Sequence, residues 1–210
     1  MVFDIEYRLA PPPRWQDAPS DALCALGTFQ EEAASYGVDP ARIVVMGDSA
    51  GGNLAMVAGY APGRGVEADA LTPSCDVDPV PPAGVVAMYP VADLAATWHD
   101  LRAQGGAVPF PEVYVGGTPD ELPDRYAAAS VQQLIRPGLP PTLIYTGTQD
   151  QLILIERVRK VAADLRAAGV DVELVEVPFT DHAFDGFANG FGAQLEETLF
   201  LDFLARVTSE

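Results

Sequence analysis

Four consecutive apolar residues, Ile43-Val44-Val45-Met46, run straight into Gly47-Asp48-Ser49-Ala50-Gly51-Gly52, and then into Asn53, Leu54, Ala55, Met56 and Val57. A continuous β-branched run marks a strand buried on both faces, and such strands belong to parallel sheets covered by helices. The glycines let the chain turn sharply from that strand into a helix, where side chains would collide with neighbouring elements. A serine is therefore expected at the tip of a strand-to-helix turn, and few folds present one there.

The rest of the chain repeats this alternation. Val2 to Tyr7 reads as a strand, and Pro11, Pro12 and Pro13 end it. Ser20-Asp21 is a helix-start signal, with Ala22, Leu26, Phe29, Ala33 and Tyr36 on one face and Gly37 as the stop. Val85 to Tyr89 and Leu143 to Tyr145 read as further buried strands. Between Ile155 and Leu165 the apolar residues fall on one helical face, and Gly169 follows as a stop. Val172 to Val177 alternates, as a strand near a sheet edge does, and a closing helix is expected over 194–206. Strands alternating with helices imply parallel βαβ units and an α/β fold. A chain of 210 residues suits one domain, 1–210, with no internal repeat and no linker. Residues 61–83 form a loop rich in Pro, Gly and Asp, and the irregular stretch 91–140 is a candidate cap or lid.

Twelve basic against thirty acidic residues give a net charge of −18. Nucleic acid and anionic membranes both require a basic face, so neither is an expected partner. No apolar run reaches the roughly 18 residues of a membrane span. No basic region followed by an apolar stretch opens the chain, so the cytoplasm is the default location. Cys24 falls on an apparent helix and Cys75 in a Pro-rich loop, without disulfide or zinc spacing. They are expected as unlinked thiols in a reducing compartment.

A serine on such a turn acts as a nucleophile only with a base beside it. The chain holds two histidines, His99 and His182. His182 follows the 172–177 strand, the position of the base in hydrolases that order their residues Ser, acid, His, whereas His99 lies in the irregular region. The acid must orient the imidazole. Asp150 follows the 143–146 strand and is preferred. Asp93 is the competitor, and Asp181 and Asp185 stand too close to His182 in sequence. The backbone N–H of Ala50, opening the helix, is the expected oxyanion donor.

Two segments then become specific. Asp4-Ile5-Glu6-Tyr7-Arg8-Leu9-Ala10-Pro11 and Gly47-Asp48-Ser49-Ala50-Gly51-Gly52-Asn53-Leu54-Ala55 resemble signatures of the hormone-sensitive-lipase family of esterases. Asp39-Pro40-Ala41-Arg42-Ile43, Leu139-Pro140-Pro141-Thr142 and Ala167-Ala168-Gly169-Val170 extend the resemblance along nearly the whole chain. It implies the α/β-hydrolase fold, a mostly parallel sheet flanked by helices. It also implies a carboxylic-ester hydrolase with Ser49, Asp150 and His182 as its triad, using no cofactor or metal and acting on a small-molecule ester of small acyl groups. A homodimer is left open, as is an amidase or lactonase on the same residues.

The sequence departs from the family in one large respect. A His-Gly-Gly-Gly segment, whose N–H groups complete the family's oxyanion hole, is absent, as are the first three strands and the N-terminal part of the cap. The third family strand lies between the fourth, here 2–7, and the fifth, here 43–46. An empty slot there would leave several buried polar groups unpaired at about 1–3 kcal/mol each, against a domain stability of about 5–15 kcal/mol. The chain could be a fragment of a longer enzyme, residues 2–7 could pair directly with 43–46, or a second chain could supply the strand. The first is the expectation for origin and the second for the structure of this chain. Losing an oxyanion donor costs about 10²–10³ in rate, so the alternative is an impaired hydrolase kept as a binding or interaction domain. Smaller departures are Ala183 where the family has Gly after the histidine, and Gln149-Asp150-Gln151-Leu152 without the usual Pro.

Overall fold

The apolar runs of the middle and C-terminal chain become strands, and the helical periodicities between them become helices. The computed structural model describes residues 1–63, 71–105, 107–187 and 189–209, so residues 64–70 of the 61–83 loop lie outside the described residues. Strands β1 (Val44–Asp48), β2 (Gly84–Met88), β3 (Thr142–Gly147) and β4 (Val172–Val177) form one sheet in the order β1-β2-β3-β4, every pair parallel. In register, Val86 lies between Met46 and Leu143, and Leu143 is also opposite Glu173. β2 and β3 are buried at every position, as their unbroken apolar runs require.

Strands laid down in sequence order, with crossovers of one hand, carry their connecting helices on one face. Helix α1 (Asp17–Glu32) precedes β1, α2 (Ala50–Tyr60) joins β1 to β2, and α6 (Ile155–Ala167) joins β3 to β4. Met56 and Tyr60 of α2, with Val158 and Leu165 of α6, pack in one core with Val85, Ala87 and Ile144. Three further helices, α3 (Leu94–Gln104), α4 (Phe110–Val115) and α5 (Pro123–Ala129), lie in the β2-to-β3 connection. The last helix, α7 (Phe191–Thr208), covers the opposite face and seats Phe203 among Val86, Met88, Leu143 and Tyr145. Among the described residues no helix is long and apolar enough to cross a membrane.

Three expectations are corrected. Residues 2–7 do not form a strand and do not pair with 43–46. They run along α1 instead: Phe3 stacks on Phe29 at 4.6 Å, Tyr7 packs on the cluster containing Ala18, Ala22 and Leu26, and the Arg8 guanidinium forks onto both oxygens of Asp21 at 2.8 Å. The 43–46 strand is thus a sheet edge, with Met46 39% exposed. No residue of Val44–Asp48 is fully buried, so the cost of a buried empty slot does not arise.

The start of α1 moves as well. It opens at Asp17 with Gln16 at the N-cap and no side-chain cap. Ser20-Asp21 does not start it: Ser20 N–H already donates to Gln16 O at 3.1 Å, and the Asp21 side chain is taken by Arg8. The last turn tightens over Ala33–Tyr36 and stops at Gly37, whose φ is +69°.

Cys24 and Cys75 are not free thiols but a disulfide. The loop before β2 folds back onto α1, where Ser74 N–H donates to Ser20 O at 3.0 Å. The Gln30 side chain donates to Val80 O at 2.9 Å and accepts from Val80 N at 3.0 Å. These contacts bring the two sulfurs together and remove the premise of a reducing compartment.

Candidate active site

All four strands end on the same side of the molecule, and the sequence-predicted residues stand at three of those ends. Ser49 follows β1 with φ +51° and ψ −111°, a strained backbone for a residue with a side chain. The neighbours allow it. An added Cβ at Gly47 would stand 2.2 Å from Gly51 O, so only glycine lets the helix close so tightly on the strand. Ser49 N–H donates to Met88 O at 2.9 Å, tying the turn to the end of β2. Beyond it, the N–H of Ala50 lies in the first turn of α2 and has no intrahelical acceptor.

Asp150 lies in the loop between β3 and α6. Its Oδ1 accepts from the backbone N–H groups of Leu152 at 2.9 Å and Ile153 at 2.8 Å, which leaves Oδ2 to face His182. His182 lies in the loop after β4, and the two loops are joined. Thr148 N donates to Val177 O at 3.0 Å, Gln149 N to Thr180 O at 3.0 Å, and Gln151 N to Asp181 Oδ1 at 2.9 Å.

The three side chains form one hydrogen-bonded chain. His182 Nδ1 lies 2.8 Å from Asp150 Oδ2, and His182 Nε2 lies 2.9 Å from Ser49 Oγ. The Asp150 side chain is fully buried, while that of His182 is 17% exposed. A carboxylate can only accept, so Nδ1 carries the proton and Nε2 is left to accept from the serine hydroxyl.

The competitors have other work. Asp93 caps α3, accepting from Ala96 N at 2.9 Å. His99 packs against Trp98. Asp181 accepts from the N–H groups of Gln151 and His182. Asp185 turns inward, accepts the Tyr89 hydroxyl at 2.8 Å and has Tyr145 OH at 3.3 Å from its second oxygen. Burial, with the Asp185 carboxylate behind it, pushes the Tyr89 phenol above its ordinary value, and burial with Glu196 does the same to Tyr145. Tyr89, Tyr145 and Glu196 were not singled out by the sequence, because nothing local marks contacts between residues so far apart along the chain.

Beside Ala50 opens a cavity of about 380 Å³ whose walls include Leu9, Leu54, Val91, Leu94, Val108 and Tyr114. Arg8 reaches its rim, but its charge is paired with Asp17 and Asp21. The space is thus apolar and suits an uncharged group. Among the described residues no group of three His, Cys, Asp or Glu side chains stands close enough to hold a metal ion.

A parallel sheet that gathers a serine, an aspartate and a histidine from separate C-terminal strand ends is the arrangement of the α/β-hydrolase fold. The chain belongs to that family: the family profile described as alpha/beta hydrolase fold matches residues 1–186. It is 30% identical over 189 residues to Esterase LipC of Mycobacterium tuberculosis, covering 88% of this chain and 45% of that protein. To Carboxylesterase NlhH of Mycobacterium tuberculosis it is 31% identical over 210 residues, covering 94% of this chain and 60% of the relative. Among solved structures, Thermogutta terrifontis esterase 2 phosphoramylated by tabun matches with a TM-score of 0.75 at 26% identity, covering 97% of this chain and 70% of that one. The chain spans about half the length of the curated relatives it matches.

Proposed function

We propose that the chain hydrolyses carboxylic esters through a serine acyl-enzyme. The observation that carries this reading is the unbroken hydrogen-bond chain from Asp150 through His182 to Ser49. Ser49 Oγ attacks the ester carbonyl as His182 Nε2 takes its proton. Asp150 holds the ring and stabilises the imidazolium that forms. The tetrahedral oxyanion accepts from Ala50 N–H, which has no competing acceptor in its own helix. His182 then returns the proton to the departing alcohol. A water activated by the same nitrogen releases the acid and restores Ser49.

The cavity beside Ala50 receives the uncharged acyl or alcohol part, and the 91–140 segment acts as its cap. Supporting a small acyl substrate, Thermogutta terrifontis esterase 2 has been solved with propionate and with butyrate bound. Its tabun adduct makes an organophosphorus probe the natural test. A fluorophosphonate should label the folded chain, and labelling should vanish in Ser49→Ala. A p-nitrophenyl butyrate assay should follow the same pattern. A folded protein that takes no label would sink the reading and leave a binding domain on a hydrolase scaffold.

A further inference from the structure

The fourth strand end also reaches the site. Tyr89, the residue after β2, lays its ring against that of His182, with centroids 4.6 Å apart and planes at 64°, in the edge-to-face range. Its φ is +35°, a conformation that bulky residues avoid unless the surroundings enforce it. The backbone strain goes into aiming this ring.

Two anchors hold it. Tyr89 N–H donates to Tyr145 O at 2.7 Å, and its hydroxyl donates to Asp185 Oδ1 at 2.8 Å. Asp185 is only 8% exposed, and its second oxygen faces Tyr145 OH of β3. The loop carrying His182 is therefore pinned by an aspartate on each side. Asp181 ties it to the Asp150 loop, and Asp185 ties it to the ends of β2 and β3.

The hydrogen bonds at Nδ1 and Nε2 restrain two points of the imidazole, and two points leave the ring free to tilt about the line joining them. A third contact fixes its plane. That contact matters most while Ser49 is acylated, because the Nε2 bond to Ser49 is then gone and Asp150 alone holds the ring by hydrogen bonding. Misplacement of about 1 Å can cost on the order of 10² in rate.

We propose that Tyr89 and Asp185 are positioning residues for His182: the Tyr89 ring braces the imidazole, and Asp185 locks that ring in place. The kinetic consequence rests on the ester-hydrolase reading; the placement of the ring does not.

The test therefore has two readouts. The chain holds only two histidines, so a His99→Gln background leaves a single imidazole for proton NMR. In that background the Nδ1 proton shared with Asp150 should give a sharp downfield resonance. It should be lost to exchange in Tyr89→Leu and Asp185→Ala, and kept in Asp185→Asn, whose amide oxygen still accepts a tyrosine hydroxyl. With p-nitrophenyl butyrate, Tyr89→Leu and Asp185→Ala should lower kcat by about 10–100-fold with KM within about twofold. Asp185→Asn should recover most of the loss, and Tyr89→Phe, which keeps the ring but frees it from Asp185, should fall between.

A resonance absent from the folded parent, or unchanged in folded Tyr89→Leu and Asp185→Ala, overturns the brace, as does its loss with kcat intact. If Asp185→Ala does not fold, Tyr89→Leu and Tyr89→Phe decide. Failure of the hydrolase reading looks different: the parent shows the resonance but takes no phosphonate and cleaves no ester, and the variants still report the brace by NMR.

Discussion

Glu196 of α7 is half-buried and faces Asp185, so burial first and that carboxylate second push its own carboxyl above the ordinary value. A carboxyl whose folded pKa exceeds its unfolded one favours folding when protonated. That contribution is full at low pH and is lost as pH rises through the folded pKa. Once the pH is high enough to ionise it, Glu196 is therefore a net cost. Glu196→Gln should raise the melting temperature by about 1–3 °C near pH 8, with the difference fading below about pH 4, where the carboxyl is protonated in both states. A gain that persists undiminished in acid would show that the effect is not one of charge. Asp21 behaves oppositely. The Arg8 side chain holds it down to about 2, so its contribution is present above the ordinary carboxylate range and is lost as pH falls toward that value. The aspartate and histidine of the site were legible as residues because they follow apolar runs, and parallel strands bring such ends together. Asp185 was set aside for its nearness to His182 in sequence. That judgement holds for the Nδ1 partner but hid a different role, because the Tyr89 hydroxyl it accepts lies 96 residues away.

At the scale of elements, runs with a neighbouring strand to pair with read well, the alternating 172–177 among them, and the unpartnered 2–7 did not. The expected strands at 43–46, 85–89, 143–145 and 172–177 lie within a residue or two of β1 to β4. Burial on both faces leaves the β2 and β3 runs few other conformations, while β1 and β4, only partly buried, are held as strands by pairing with them. Val2 to Tyr7 has strand composition, but a strand exists only with a partner. Without one, Phe29 and Asp21 of α1 claim Phe3 and Arg8. The turn between β1 and α2 offers a sharper test. Gly47 and Gly51 flank Ser49 alike in sequence but not in space. A Cβ on Gly47 would stand 2.2 Å from Gly51 O, whereas one on Gly51 would meet nothing closer than Asp48 Oδ1 at 3.7 Å. Gly47→Ala should therefore cost about 1–3 kcal/mol in urea unfolding. It should reduce phosphonate labelling further still, because relieving the clash moves the turn that aims Ser49 and Ala50. Gly51→Ala should keep or slightly raise stability, as alanine favours a helix interior by up to about 1 kcal/mol over glycine. Equal effects at the two positions would refute this division of labour.

Across the whole molecule, the four-stranded sheet has β1 and β4 as its two partly exposed edges. β1 is the edge beside Ser49, and the second face of the sheet is covered by α7 together with Phe184, centred on β2 and β3. A net charge of −18 adds self-repulsion. The Cys24–Cys75 disulfide closes a stretch of 51 residues that contains β1, Ser49 and α2. Two cysteines so far apart, on a helix and a loop, gave no readable pattern. Their pairing is a product of the loop lying back on α1. Closing a loop of that length limits the unfolded chain by about 4 kcal/mol on the entropic account, which at about 2–4 °C per kcal/mol corresponds to a melting shift of roughly 8–16 °C. The double variant Cys24→Ser, Cys75→Ser should melt lower by that amount, and the parent should match it in excess reductant. Hydrogen exchange should then quicken first in β1 and α2, with β3 and β4 protected longer, because the crosslink restrains only the former half. A parent whose melting and exchange ignore reductant would mean that the loop's contacts with α1, through Ser20 and Gln30, hold this half together without the sulfur bridge.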